Sequence, residues 1–229
     1  MTGDPFLIAA NALTGSGGSV ADLAHPFLSL LPVSGASIST FGPLLGAETI
    51  SATDVLAGRI DELQFDLGEG PCWDALTSRR PVIEPDVAST VSWPAFTDAV
   101  RRERVGAIFA FPLVFGPIEI GAVDLYSTTP STLTLAQQRQ TLALSAIVSR
   151  ILLRHALADR ASAPTTSFSR RLIHQATGMV LAQLETTPGD AYLVIQARAF
   201  ADNRSMREIA EDIIERRITF TALPDAEAP

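Results

Sequence analysis

The sequence predicts an α+β protein: an antiparallel sheet flanked by helices, then a long connecting helix, then a small three-helix bundle. Three observations carry this. Short β-rich runs at 36–41, 81–83, 107–115 and 118–126 alternate with helical patterns and turn signals. Residues 133–160 hold one long helical pattern, and residues 167–220 hold three short ones with explicit start and stop signals. An apolar content of 47% over 229 residues, with only 18% charged, supplies a well-buried core for one large or two modest domains. No internal repeat is present.

Taken in order, Phe6–Ala12 and Val20–Leu31 read as apolar helices separated by the flexible break Gly15-Ser16-Gly17-Gly18. Ala36–Phe41 and Pro81–Ile83 read as strands. Ala107–Phe115 and Ile118–Tyr126 read as a hairpin joined through Gly116-Pro117. The helix from Leu133 to Arg160 is apolar on more than one side. Leu135, Leu142, Ala146 and Leu153 share one face; Leu144, Ile147, Val148 and Ile151 share another. One face can cover the sheet while the other meets a second subunit. Ala161–Thr166, with Pro164, reads as a hinge.

The bundle follows. Phe168, Leu172, Ile173, Ala176, Met179, Val180 and Leu184 make one face of a first helix. Thr187-Pro188 opens a second: the Thr187 hydroxyl accepts an orphan N–H, Pro188 sits where its missing donor costs nothing, and Asp190 faces the positive dipole end. That helix runs through Ala191, Tyr192, Val194, Ile195 and Ala199 and stops at Asn203, which tolerates the left-handed conformation. Ser205-Met206-Arg207-Glu208 is a capping box, starting a third helix with Met206, Ile209, Ala210, Ile213 and Ile218 inward.

Charge narrows the function. The net charge is −8 and every basic residue is arginine. The acid excess lies upstream, whereas in 167–220 the arginines Arg170, Arg171, Arg198, Arg204, Arg207, Arg216 and Arg217 match the acids in number. They can form a local basic surface, since guanidinium forks bind phosphate bidentately; the alternative is pairing with neighbouring acids along solvated helix faces. One cysteine excludes an intramolecular disulfide, and with three scattered histidines no metal site is expected. No apolar stretch long enough to span a membrane and no signal peptide is present, so a cytoplasmic protein without membrane contact is expected. Neither a phosphate-binding loop nor a Ser, His and Asp arrangement is found, and no enzyme is expected. A DNA-binding helix-turn-helix is disfavoured by Glu208, Glu211, Asp212 and Glu215 on the would-be recognition helix.

Gln175-Ala176-Thr177-Gly178-Met179-Val180, Asp190-Ala191-Tyr192, Ala199 through Asn203-Arg204, Glu208-Ile209-Ala210 and Ile213-Ile214-Glu215-Arg216-Arg217 together resemble the ANTAR domain. Thr177 stands where many members carry Lys, and Gln196 where Arg is common. The resemblance implies an RNA-binding antitermination module that recognises tandem short-looped hairpins as a dimer. Upstream, Leu67-Gly68-Glu69-Gly70-Pro71-Cys72-Trp73-Asp74-Ala75, Pro81-Val82-Ile83, Trp93-Pro94, Phe111-Pro112-Leu113 and Gly121-Ala122-Val123-Asp124-Leu125-Tyr126 resemble a GAF domain. It is similar to the form that precedes ANTAR modules in actinobacterial regulators. The implied fold is a six-stranded or similar sheet with a small-molecule or redox-sensing site between sheet and helices.

The expected organisation is a sensor-like domain over 1–132, a connecting helix and hinge over 133–166, the three-helix domain over 167–220, and a tail over 221–229. Candidate RNA contacts are Arg170, Arg171, Arg198, Arg204 and Arg207. Cys72, Trp73 and Trp93 are candidates for a ligand pocket: the indoles for stacking a flat molecule, or for simple core packing, and Cys72 for a thiol at a helix start, or a small buried residue. The expected function is a signal-responsive regulator that binds RNA as a homodimer through the connecting helix and works with the transcription machinery. The alternative is a sensory scaffold acting through protein partners without RNA.

Overall fold

The computed structural model describes residues 4–15, 19–41, 46–158 and 171–221. The chain divides into two compact units, Met1–Phe168 and Ser169–Pro229. In the first, helices α1 (Pro5–Gly15) and α2 (His25–Leu30) precede strands β1 (Gly35–Thr40) and β2 (Glu48–Ala52). Helices α3 (Val55–Leu67) and α4 (Pro71–Ser78), strand β3 (Val82–Glu84) and helix α5 (Pro94–Arg102) follow. The hairpin β4 (Ala107–Phe115) and β5 (Ile118–Ser127) and the long helix α6 (Leu135–Ala158) complete the unit.

The five strands form one antiparallel sheet in the order β2-β1-β5-β4-β3. Because side chains alternate across a strand, the register sorts residues between two layers. Ile38, Phe109, Phe111, Val123 and Leu125 face α1, α2 and α6, where Phe27, Leu144, Val148, Ile151 and Leu152 meet them. Ile108 and Tyr126 face the other way, toward Ile60, Leu63, Phe96 and Val100 of α3 and α5. The central pairing requires Gly121, since a Cβ there would overlap the Ser39 carbonyl oxygen.

The second unit consists of α7 (Arg171–Leu184), α8 (Pro188–Asp202) and α9 (Met206–Ile214). Ile173, Ala176, Val180, Ala191, Ile195, Ala199, Met206, Ile209, Ala210 and Ile213 are its buried apolar residues among those described, and Asp212 is buried beside them. Local signals set the ends. Thr187 Oγ1 accepts the Asp190 N–H at 3.2 Å, and Pro188 occupies the first turn of α8. Asn203 closes α8 at φ 50°, and Ser205 and Glu208 form a reciprocal capping box.

Several elements differ from the sequence reading. Val20–Leu31 is not one helix: a 3-10 turn at Val20–Asp22 precedes α2, because Pro26 cannot donate the bond that would continue it. Strand β2 and helices α3 and α5 went unread. Of the three buried residues of β2, Ile50 joins the core, while Thr49 and Ser51 are polar and spent on internal bonds: Ser51 Oγ donates to Ala21 O at 2.6 Å and accepts from Ala24 N, and Thr49 donates to Asp61. Helix α3 buries Asp61 and Gln64 beside its apolar residues, which blurs its periodicity. The described sheet has five strands, similar to the six-stranded sheet that the resemblance implies. Ile218 lies beyond α9, half-buried, its N–H bonded to Asp212 O at 3.1 Å. Phe168, Arg170, the expected hinge at 161–166, Ser16–Gly18 and residues 222–229 lie outside the described residues.

Candidate functional site

The segment Leu67–Ala75 sits where α3, α4 and α5 meet one face of the sheet, and each of its distinctive residues has an internal task. Gly68 ends α3 in the left-handed conformation at φ 66°. Glu69 Oε1 accepts the Phe96 N–H at 2.9 Å, supplying α5 with a cap from outside its own chain segment. Gly70, at φ 139°, opens α4, and a Cβ there would come within 2.6 Å of Gln64 Cγ. Asp74 Oδ2 accepts the Trp93 indole N–H at 3.0 Å.

Gln64 is the junction, and sequence reasoning missed it. Its side-chain Nε2 donates to Asp124 Oδ2 on β5 at 3.0 Å, its Oε1 accepts the Cys72 N–H on α4 at 2.8 Å, and its carbonyl accepts the Trp73 indole N–H at 2.8 Å. It is fully buried. Around it the sheet face is polar: the register puts Ser37 beside Asp124 and Ser39 beside Thr49, and Thr49 Oγ1 donates to Asp61 of α3. Ser37, Ser39, Thr49, Asp61, Gln64 and Asp124 are all buried. The signal that could have found them is a polar residue centred in an apolar run, as in Leu63-Gln64-Phe65 and Val123-Asp124-Leu125.

The ligand-pocket candidates are thus brought to one layer but are already engaged. Trp73 packs on Phe41 with ring centroids 4.7 Å apart and on Phe65 at 6.4 Å. Trp93 stands at the N-cap position of α5 with a left-handed backbone at φ 50° and is half-buried. Cys72 is fully buried on the first turn of α4. The space bounded by Ser37, Ala57, Ile60, Asp124 and Tyr126 leaves no room for a water molecule.

Tyr126 borders that layer, and its hydroxyl donates to Asp54 Oδ1, the cap of α3, at 3.1 Å. Burial, then the Asp54 charge and hydrogen bond, push the phenol up from 10.0 to about 12. The folded state favours the neutral phenol, so this contribution is complete below pH 10 and is lost as pH rises toward 12. Urea midpoints followed across that interval should fall more for the wild type than for Tyr126→Phe; equal falls would contradict the assignment.

In the second unit the candidate arginines are spread over α7, α8 and α9, and most are paired. Arg198 meets Asp202 at 2.6 Å and Arg207 meets Glu211 at 3.3 Å, both one turn away. Arg204 Nη1 donates to Asp212 Oδ2 at 2.7 Å, and Arg217 Nε to Asp212 Oδ1 at 2.5 Å. These bonds, Arg204 first, hold the Asp212 carboxyl below its ordinary range, and Asp212 in turn raises Arg204. Arg204 therefore ties the α8–α9 turn to α9. Arg171 is exposed on the first turn of α7, and Arg170 lies outside the described residues. Thr177 donates its hydroxyl to Ile173 O at 2.7 Å, and Gln196 is half-buried.

The model of the GAF domain matches residues 27–152, more than half of the chain, and that of the ANTAR domain matches residues 165–214. The chain belongs to the GAF family. Behind its GAF domain it carries an ANTAR domain. No curated protein matches the chain significantly. Among solved structures, the GAF domain of an Acinetobacter phosphoenolpyruvate-protein phosphotransferase is similar at 11% identity and a TM-score of 0.53, covering 71% of this chain and 100% of that one. The GAF domain of the Coxiella burnetii phosphoenolpyruvate-protein phosphotransferase is similar at 12% identity and a TM-score of 0.53, covering 69% and 95%. The free methionine-R-sulfoxide reductase from Neisseria meningitidis, solved with its substrate, is similar at 14% identity and a TM-score of 0.51, covering 67% and 89%. At these identities the likeness is one of fold.

GAF domains are sensor domains that often hold small molecules or chromophores, and ANTAR domains are RNA-binding modules of antitermination regulators. Both are regulatory rather than catalytic. The polar layer of Gln64, Asp61 and Asp124 lies within the GAF match, and α7, α8 and α9 lie within the ANTAR match. Among the described residues no helix is long and apolar enough to cross a membrane.

Proposed function

We propose that this chain is a signal-responsive regulator of transcription antitermination that binds tandem RNA hairpins as a homodimer. The observation that carries the reading is the ANTAR match over 165–214 behind a GAF domain. On this reading 1–132 senses, 133–166 connects, 167–220 binds RNA and 221–229 is a tail, in a cytoplasmic protein that works with the transcription machinery.

Dimerisation is supported by α6. Leu144 and Val148 are fully buried against the sheet, whereas Leu135 and Leu157 on the opposite side are 71% and 60% exposed. Leu142 and Ala146 continue that open stripe at helical spacing, and Leu153 on the same face is half-buried. An open groove of about 600 Å³ lies alongside, lined by Phe115, Ile147, Leu153 and Leu157 and by Arg150 and Arg154. A 24-residue helix is roughly 36 Å long, enough to pair with its copy over several turns. A signal that opens the Gln64 layer would shift α3 and α4 against the sheet that α6 covers, and so alter the pairing of two RNA-binding modules.

Crosslinking in cells, followed by sequencing of RNA recovered with the chain, tests this. Tandem short-looped hairpins near terminators are expected; recovery at the background of an untagged control would overturn the reading. One observation favours the second reading, a scaffold acting through protein partners: Arg198, Arg204 and Arg207 are all engaged by acids of their own unit. A stable protein partner in the absence of bound RNA is the result it requires.

A further inference from the structure

The outer face of α8 carries Leu193 and Phe200, two turns apart and 57% and 70% exposed, with Ala197 exposed between them. The inner face, Ala191, Ile195 and Ala199, already closes the bundle core. Among the described residues of this unit none buries Phe200, and an aromatic left in water on a unit this small marks a contact surface. Four residues beyond Phe200, past the left-handed Asn203 that ends α8, stands Arg204, fixed by Asp212 at 2.7 Å yet with 36% of its side chain still exposed. The face thus ends in a flat aromatic, and the turn that follows it holds a positioned cation.

Two features select the occupant. Leu193 and Phe200 together offer on the order of 300 Å², far below the roughly 800 Å² per partner of a stable protein interface. The arginine charges of the unit are largely offset by internal acids, so phosphate attraction alone gives little binding and an uncharged contact must supply the rest. Unpaired RNA bases meet proteins in this way, by stacking on exposed aromatic rings beside guanidinium groups.

We propose that Phe200 is the stacking platform for an unpaired loop base, with Arg204 set to meet the neighbouring phosphate. This rests on the reading of the second unit as an RNA-binding module. The test uses the full chain and a synthetic RNA of two tandem hairpins with short adenosine-rich loops. Phe200→Ala and Phe200→Leu should each weaken binding about ten-fold or more, with unchanged circular dichroism. Phe200→Trp should retain affinity, and its indole emission should be quenched on RNA addition. Wild-type affinity in Phe200→Leu would show that aliphatic packing suffices and would overturn the stacking role, as would affinity within two-fold of wild type in Phe200→Ala. A change in oligomeric state with RNA affinity intact would assign the face to a second copy instead. Failure of the wild type itself to bind would overturn the RNA reading and this inference together, and is distinguishable because all variants then behave alike.

Discussion

Leu142→Glu combined with Leu157→Glu is expected to convert the proposed dimer to monomers and to weaken binding of a tandem-hairpin RNA by about a hundred-fold. The physical basis is effective concentration. When two modules are held together, the second hairpin is captured intramolecularly, and losing that link costs on the order of 10²–10⁴ in apparent affinity without removing a single RNA contact. Both leucines are exposed, at 38% and 60%, so carboxylates there meet water in the monomer but would be desolvated in a paired helix. Affinity for an RNA with one hairpin should change less than two-fold, and thermal stability should hold. A double variant that still sediments as a dimer would place the subunit contact elsewhere.

Gln64→Leu is expected to destabilise the GAF unit by about 2–5 kcal/mol, since it removes a buried donor and a buried acceptor at once. The replacement is close in volume, so packing loss is small and the effect reports the hydrogen bonds to Asp124 and to the Cys72 N–H. Pairing it with Asp124→Leu should cost less than the sum of the two single changes, because the same bond is counted in each. Urea unfolding measures both. A loss below about 0.5 kcal/mol for Gln64→Leu would mean that the layer does not depend on this amide.

The sequence was most readable where structure is set by neighbours. The caps of α8 and α9 depend on Thr187, Asn203, Ser205 and Glu208 within a few residues of their partners, and the hairpin of β4 and β5 follows from two apolar runs and one turn. It was least readable where a polar side chain finds a distant partner. Thr49 and Ser51 make β2 look like a loop until Asp61 and the Ala21 carbonyl are placed against them. The same limit governs the site. Trp73 and Trp93 suggest stacking surfaces, but their N–H groups are taken by Gln64 and Asp74, 9 and 19 residues away. Pairing of Arg198 and Arg207 follows from acids four residues on, whereas the Arg204–Asp212 bond joins the α8–α9 turn to a residue of α9 eight positions on. Phe200 escaped because a helix with a good inner stripe draws no notice to its outer one.

The most direct test of a dimeric RNA-binding regulator is sedimentation velocity of the full chain titrated against an RNA with two tandem short-looped hairpins and against the same RNA with one hairpin removed. The expected result is a single complex of two chains per tandem RNA, at least a hundred-fold tighter than the one-hairpin complex. Equal affinity for the two RNAs, or no RNA-dependent boundary at all, would contradict it.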